Sequence, residues 1–368
     1  MHKSLEKFTP YVEAGHLRQV VSPCGKLVLW NYTDHCTYEK AWDEVTLNAR
    51  GTVYEIETGK VVARAFPKFF NFGELPTEKQ KQILNSRDFT AYEKMDGSLG
   101  IIYYYDGEWR VNTRGSFTSD QAIRGKEMLD KKYDTERLDP TMTFMVEIIY
   151  PENRIIVDYG NEEKLVMLAC LETSEDSEVE DHEFWFSHLC FRSRITPCLK
   201  EKFNSIEELQ THLETLDHTE EGYVVRLGNG YRVKFKSVEY LKLAKIMSHV
   251  SPLAFWEHME NGKIELDYLE HLPEEFRAEC DVLTAKLEEQ YQRGYAEVVG
   301  AFEIAMKAVG EEPGPVTPEL RKKIGLYVKE SKPKHSGAIF PYLLANDKGV
   351  EKYVKNYIKP VGNVLREL

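Results

Sequence analysis

No apolar run in the 368-residue chain approaches the length of a bilayer span, and residues 1–10 are too polar for the hydrophobic segment of a secretory leader. The sequence therefore reads as soluble and is expected in the cytoplasm, or in the host cytoplasm if its source is viral. Cysteine is sparse and scattered: the six residues at 24, 36, 170, 190, 198 and 280 form no Cys-x-x-Cys pair, so neither a zinc ribbon nor a disulfide framework is indicated. Internal repeats and low-complexity segments are absent. Positive charge is short as well. With 48 Lys and Arg against 61 Asp and Glu, the formal charge of −13 argues at first sight against a nucleic-acid partner.

What is present changes that picture. Hydrophobic residues make up 42% and aromatics 12%, a globular composition long enough for two domains. Charge is unevenly placed. Residues 172–183 hold seven acids and no Lys or Arg, whereas residues 321–360 hold ten Lys or Arg against three acids. The first stretch reads as a solvated loop and the second as a basic stripe.

The first two thirds of the chain read as strands. Lys26 to Tyr32, Gly51 to Ile56, Val61 to Phe66, Thr143 to Ile149, Leu165 to Leu171, Gly222 to Leu227 and Tyr231 to Lys236 are β-rich. Ile101 to Tyr105 and Trp109 to Thr113 flank Asp106-Gly107, a pair that suits a type I′ hairpin turn. A helix over Ser205 to Leu216 interrupts them. After residue 245 the apolar period becomes helical: one helix is expected from Pro273 to Gly310, a second opens at Thr317-Pro318-Glu319, and a third at Asp347. The expected fold is α+β, an antiparallel-sheet domain over 1–245 followed by an all-α domain over 246–368.

Ala91 to Gly100 carries the chemistry. It contains Lys94-Met95-Asp96-Gly97, which puts an amine at a strand end beside a carboxylate and a glycine turn. Lys-x-Asp-Gly is the signature of enzymes that attack a nucleoside triphosphate with lysine and carry the nucleotide as a phosphoramide. A free lysine, with a pKa near ~10.4, needs neighbouring cations and partial burial to release its amine. Arg50 and Lys68 lie at strand or loop edges. Arg232, Lys234 and Lys236 alternate onto one strand face, which either meets water or grips a triphosphate. Glu147 interrupts an apolar strand and Glu221 opens another; each sits on a wet face or in a site.

In chain order, Arg50-Gly51, Lys68 to Asn71, Lys94 to Gly97, Arg114-Gly115-Ser116, Glu147 with Pro151 to Ile156, Glu221 to Val224, and Lys234 to Ser237 match a set of family motifs. On these the chain resembles the ATP-dependent RNA ligases of the phage RNA ligase 1 family, in the covalent nucleotidyltransferase superfamily. The resemblance implies an ATP-grasp-like nucleotidyltransferase (adenylation) domain over 1–245. The activity it implies joins 5′-phosphate and 3′-hydroxyl RNA ends through lysyl-AMP and adenylated RNA, in RNA or tRNA repair. It makes Lys94 the nucleophile, within a catalytic set completed by Asp96, Arg114, Glu147 and Glu221. Arg50, Lys68, Lys234 and Lys236 would hold the triphosphate, Glu147 the ribose hydroxyls, and Arg114 a phosphate or the RNA end.

The same resemblance places Phe70, Gly97 and Trp30 around the nucleotide, although Trp30 stands where the family often has tyrosine, so no hydroxyl role carries over. Glu265 would be a metal-binding acid in the helical domain. ATP and Mg²⁺, with Mn²⁺ able to substitute, are the implied cofactors. RNA ends, single stranded or in a tRNA loop, are the implied partners of a monomer, with the helical domain serving RNA specificity. A DNA ligase or mRNA capping enzyme shares the lysine motif, but normally appends an OB-fold where this chain turns helical. A non-catalytic RNA-end-binding protein on the same scaffold is a further alternative, and the intact charged positions speak against it.

Overall fold

The computed structural model describes all residues except 1, 175–176, 179–183, 271–275, 313–314, 346, 362–364 and 366–368. The chain separates into two compact units, Met1–Ala244 and Lys245–Leu368.

Among the described residues the first unit is built on three sheets, antiparallel but for one short strand. Leu17–Val21, Leu27–Tyr32, Arg50–Glu55 and Val61–Ala63 form a meander in chain order. The largest sheet runs Ser177–Glu178, Lys164–Glu172, Met142–Ile149, Ser98–Tyr105 and Glu108–Thr113, with Thr196–Pro197 added in parallel beside Lys164–Glu172. The third has the order Lys200–Glu201, Phe89–Glu93, Gly222–Leu227 and Arg232–Lys236. Apolar alternation explains how the first two meet. Leu27, Leu29 and Val53 of the meander pack with Ile101, Tyr103 and Met145 of the large sheet in one buried cluster. The opposite face of the large sheet, through Ile102, Phe144 and Ile148, buries Met128 and Leu129 of the helix Asp120–Lys132.

The Asp106-Gly107 hairpin forms as its sequence predicts, with both residues at positive φ (55° and 85°) and Tyr105 paired to Glu108. Ser205 caps the helix Ile206–Leu213 through its side chain. Strand pairing stops at Ala63, short of the expected Phe66, because Ala65 and Phe66 leave the ladder for the core between the sheets. The strand Leu17–Val21 and the helix Asp120–Lys132 carry no strong periodicity and are found only in the structure, whereas Phe89–Glu93 is the strand expected to end at Lys94.

The second unit holds the helices Pro252–Glu257, Leu266–Glu270, Arg277–Ala308, Pro318–Ser331, Ser336–Ala345 and Asp347–Tyr357. Thr317 caps the fourth of these by accepting from the Leu320 amide at 3.1 Å. The expected start at Pro273 falls outside the described residues. The unit is not purely helical, which corrects the all-α expectation. Met259–Glu260 pairs with Lys263–Ile264 because Asn261 and Gly262 both take positive φ (49° and 78°), the geometry of a tight hairpin. The basic stripe is also partly spent within the unit. Lys323 pairs with Glu311, Lys334 with Glu297, and Lys355 donates to the Glu257 and Met259 carbonyls.

Gly51 is a glycine that the packing of the first unit requires. Gly51 has φ +82°, and a Cβ there would lie 2.7 Å from Ile101 Cδ1 and 3.0 Å from Arg114 Cα. Gly51→Ala therefore combines backbone strain with overpacking and is expected to lower stability by about 2–4 kcal/mol in urea unfolding; a loss below half a kcal/mol contradicts the close approach.

Candidate active site

The segment Lys94–Gly97 connects two sheets, leaving the strand Phe89–Glu93 of one and entering Ser98–Tyr105 of the other. A cavity of about 780 Å³ opens at this join. Tyr92, Glu93, Lys94, Val224, Arg232 and Lys234 come from one side, while Ser98, Leu99, Thr113, Glu147 and Leu168 come from the other. Arg50, Arg114 and Gly97 also line it.

Lys94 is aimed by a buried carboxylate. Its Nζ donates to Glu221 Oε2 at 2.6 Å, and Lys236 Nζ meets Glu221 Oε1 at 3.0 Å. Glu221 is only 2% exposed. Burial alone would push its carboxyl up, but the two ammonium groups outweigh it and hold the carboxyl below the usual range. Backbone pairing fixes the pair in register, since the Lys94 amide donates to the Gly222 carbonyl at 2.8 Å.

Glu147 is tuned the other way. Desolvation pushes it up to about 7, against the pull of Lys94 and Arg50 and with the help of Glu221 and Asp96. Its Oε1 accepts from the Gly97 amide at 3.1 Å. Glycine is needed there because a Cβ would stand 2.7 Å from the Ile148 carbonyl oxygen. Glu93, also on the cavity wall, is raised by burial and by Glu220.

Asp96 turns away from the large cavity. At 3% exposed, its Oδ2 accepts from the Ile156 and Val157 amides, each at 2.8 Å, and its Oδ1 from the Tyr240 hydroxyl at 3.0 Å. The Asp96 amide in turn donates to Tyr159 Oη at 3.0 Å. Ser98 Oγ and Asn153 Oδ1 are 3.0 Å apart, so the segment from Pro151 to Ile156 clamps the lysine connector on both sides. Asp96 thus acts on Lys94 through the backbone.

The cations are held by aromatic rings. Arg50 lies 5.4 Å from the Phe69 ring centroid and donates to the Phe66 carbonyl at 3.4 Å; burial and Arg114 lower its pKa. Lys234 lies 5.4 Å from the same ring and Arg232 3.7 Å from that of Phe66. The Arg232, Lys234 and Lys236 row therefore faces the protein. Lys68 and Phe70 are not among the cavity-lining residues. Lys68 is 5% exposed, with its ammonium 4.7 Å from Phe70, 5.6 Å from Trp42 and 5.8 Å from Tyr32. Phe69, not Phe70, reaches the cavity.

Two sequence-predicted positions stand elsewhere. Trp30 is 2% exposed and stacked 4.4 Å from Phe8, in a core cluster with Leu5 and Val28, so it cannot touch a ligand in the cavity. Two residues along the same strand, Tyr32 presents its hydroxyl to Arg114 at 2.7 Å. Sequence reasoning missed Tyr32, although period-2 alternation from Trp30 was the available signal. Arg18, another unforeseen cation, also lines the cavity. Glu265 belongs to the second unit, 3.5 Å from His258 Nδ1, and it joins no group of three or more metal-ligating side chains among the described residues.

The arrangement is an amine in a cation-lined cavity with adjacent carboxylates, a setting suited to attack on a polyanionic substrate. A family model described as RNA ligase matches residues 48–240, and the chain belongs to this RNA ligase family. A protein of Autographa californica nuclear polyhedrosis virus, provisionally described as a bifunctional polynucleotide kinase/RNA ligase, is 31% identical over 280 residues, 67% of this chain and 39% of that protein. The RNA ligase of Rhodothermus phage RM378 is 26% identical over 196 residues, 41% of this chain and 43% of its own length. Among solved structures, an archaeal ATP-dependent RNA ligase aligns over 89% of this chain and 87% of its own, with TM-score 0.47 and 15% identity. The chain spans less than half the length of the curated relatives it matches. No helix among the described residues is long and apolar enough to cross a membrane.

Glu147 supplies a pH signature. A carboxyl raised from 4.5 to about 7 binds its proton more tightly in the folded state, so its contribution to stability falls as pH rises through that window. Glu147→Gln, which mimics the protonated form, should gain on the order of 1–2 kcal/mol relative to wild type between pH 5 and pH 8. Urea unfolding at both pH values reads this, and a difference that does not change with pH contradicts the buried-carboxyl assignment.

Proposed function

We propose that the chain is an ATP-dependent RNA ligase that acts through lysyl-AMP and adenylated RNA. The observation that carries this reading is Lys94 Nζ, held at 2.6 Å by Glu221 on the wall of a cavity that also receives Arg50, Arg114, Arg232 and Lys234. In the first step the Lys94 amine, having shed its proton, forms an N–P bond to the α-phosphorus of ATP. The bond from that phosphorus to the bridging oxygen breaks, and pyrophosphate leaves. Arg50 and Lys234 suit the departing phosphates, whose charge would exchange aromatic faces for oxygen anions. Next a 5′-phosphate oxygen of RNA displaces the lysine, which regains its proton. A 3′-hydroxyl then attacks the activated phosphate and AMP departs.

Glu93, Glu147 and Glu221 offer oxygen donors of the kind a hard divalent cation takes, and the raised carboxyls of Glu93 and Glu147 would be relieved by one. When bound, Mg²⁺, or Mn²⁺ in its place, would neutralise charge on the phosphates. Arg114, oriented by Tyr32, is proposed to bind the phosphate at the RNA end, and Glu147 the ribose hydroxyls of the nucleotide. Lys68 is proposed to act from behind the wall, as the charge that fixes Tyr32, Trp42 and Phe70. Substrate choice is assigned to the second unit, where Arg321, Lys322, Lys329 and Lys352 are exposed.

Joining assays on 5′-phosphorylated RNA and DNA, single stranded, nicked and looped, test the proposal. RNA joining that needs ATP and is abolished in Lys94→Ala is expected; DNA joining only, or preference for GTP, overturns it. Arg50→Ala separates the steps. It should slow adenylation by about 10²-fold or more while sparing the sealing of RNA supplied already adenylated. Equal losses in both assays place Arg50 in RNA binding or folding.

A further inference from the structure

A second constellation lies outside the cavity, in the N-terminal part of the first unit. His16 opens the strand Leu17–Val21 by one residue, and His35 and Glu39 share the helix Asp34–Glu39 at i, i+4 spacing, which puts both on one helix face. His16 Nε2 is 2.7 Å from Glu39 Oε2, and His35 Nε2 is 3.4 Å from the same oxygen. One potential donor atom from each of the three side chains lies within 4.8 Å of the others. None of these residues lines the cavity.

We propose that His16, His35 and Glu39 form a site for a borderline transition-metal dication, with Zn²⁺ as the type ion, separate from the nucleotide-transfer centre. Two imidazole nitrogens and one carboxylate are the donor set such ions prefer, whereas Mg²⁺ favours oxygen alone. An ordinary surface ion pair needs only one imidazole. Here two converge on one oxygen, and protonating both would set like charges side by side, with ring centroids 5.7 Å apart. A metal replaces those protons, and bond lengths of about 2.0–2.1 Å are reached by a modest swing of Glu39, whose side chain is 46% exposed.

The anchoring is already built. The His16 carbonyl accepts from the Thr33 amide at 3.0 Å, and Thr33 also caps the helix that carries the other two ligands. Three protein ligands leave a fourth position for water, as in open zinc sites. The consequence is local: the ion would tie the strand edge to the helix that leads to Trp42, one of the rings around Lys68. The inference does not depend on the ligase reading.

Titration of the purified full chain with Co²⁺ and Zn²⁺, in excess Mg²⁺, tests it. One equivalent of Co²⁺ should give the intense visible bands of a four-coordinate site and be displaced by Zn²⁺, with proton release. His16→Ala, His35→Ala and Glu39→Gln should each weaken Zn²⁺ binding by about tenfold or more, at least what losing an outer-shell partner costs. Cys24→Ser should leave it unchanged. Because Glu39→Gln alters an exposed side chain, it keeps the test valid should a histidine variant fail to fold. Unchanged affinity in Glu39→Gln, the weak spectrum of six-coordinate Co²⁺, or no binding beyond that of the histidine variants overturns the site.

Discussion

One carboxylate shared between two ammonium groups organises the centre of this molecule. Glu221 is almost fully buried and takes Lys94 on one oxygen and Lys236 on the other. Burying the Glu221 and Lys236 charges is costly, and the arrangement persists because each has a partner within hydrogen-bond reach. Removing Glu221 would leave two neighbouring ammonium groups without their counter-ion, a loss usually of about 3–5 kcal/mol, whereas removing either lysine leaves the carboxylate paired with the other. The geometry has a chemical consequence too. Lys94 is fixed in direction by the ladder beneath it and in position by Glu221, so its amine needs little reorganisation to meet a phosphorus atom.

Around that triad the connector between two sheets is pinned by hydrogen bonds at three of its four residues. Lys94 pairs through its backbone with Gly222, Asp96 accepts from two consecutive amides and a tyrosine hydroxyl, and the Gly97 amide points at Glu147. These contacts give separate meanings to the letters of a short motif. The lysine faces the cavity, the aspartate faces the clamp, and the glycine lets a second carboxylate approach. The carboxylates divide by environment. Glu221 is held ionised by its two lysines, while Glu147, on the cavity wall with no lysine bonded to it among the described residues, is poised near neutral pH.

The sequence made the chemistry more legible than the architecture. Lys94, Glu147, Glu221, Arg50, Arg114 and Lys234 were singled out by the order of their motifs along the chain, since most of them taken alone read as well as the wet face of a strand or loop. Their convergence was not readable, because it depends on pairings between strands 127 residues apart, as for Lys94 and Glu221. Trp30 and Tyr32 show the limit. Alternation puts both on one side of a strand, but only packing against Phe8 decides that the indole is core while the phenol reaches Arg114. Phe69 and Phe70 are likewise adjacent letters on opposite sides of the wall. In the second unit, the helical period announced the long helix, whereas a six-residue hairpin turning at Asn261-Gly262 lacked the length to register as strands.

Covalent capture of AMP by a single amine is the step on which the proposed activity depends. After incubation of the full chain with ATP and a divalent cation, peptide mapping by mass spectrometry should find AMP on Lys94, in a linkage labile to acid and stable to base, as expected of a phosphoramide. AMP on a serine, threonine or tyrosine through an acid-stable ester, on another lysine, or on no residue at all would contradict it.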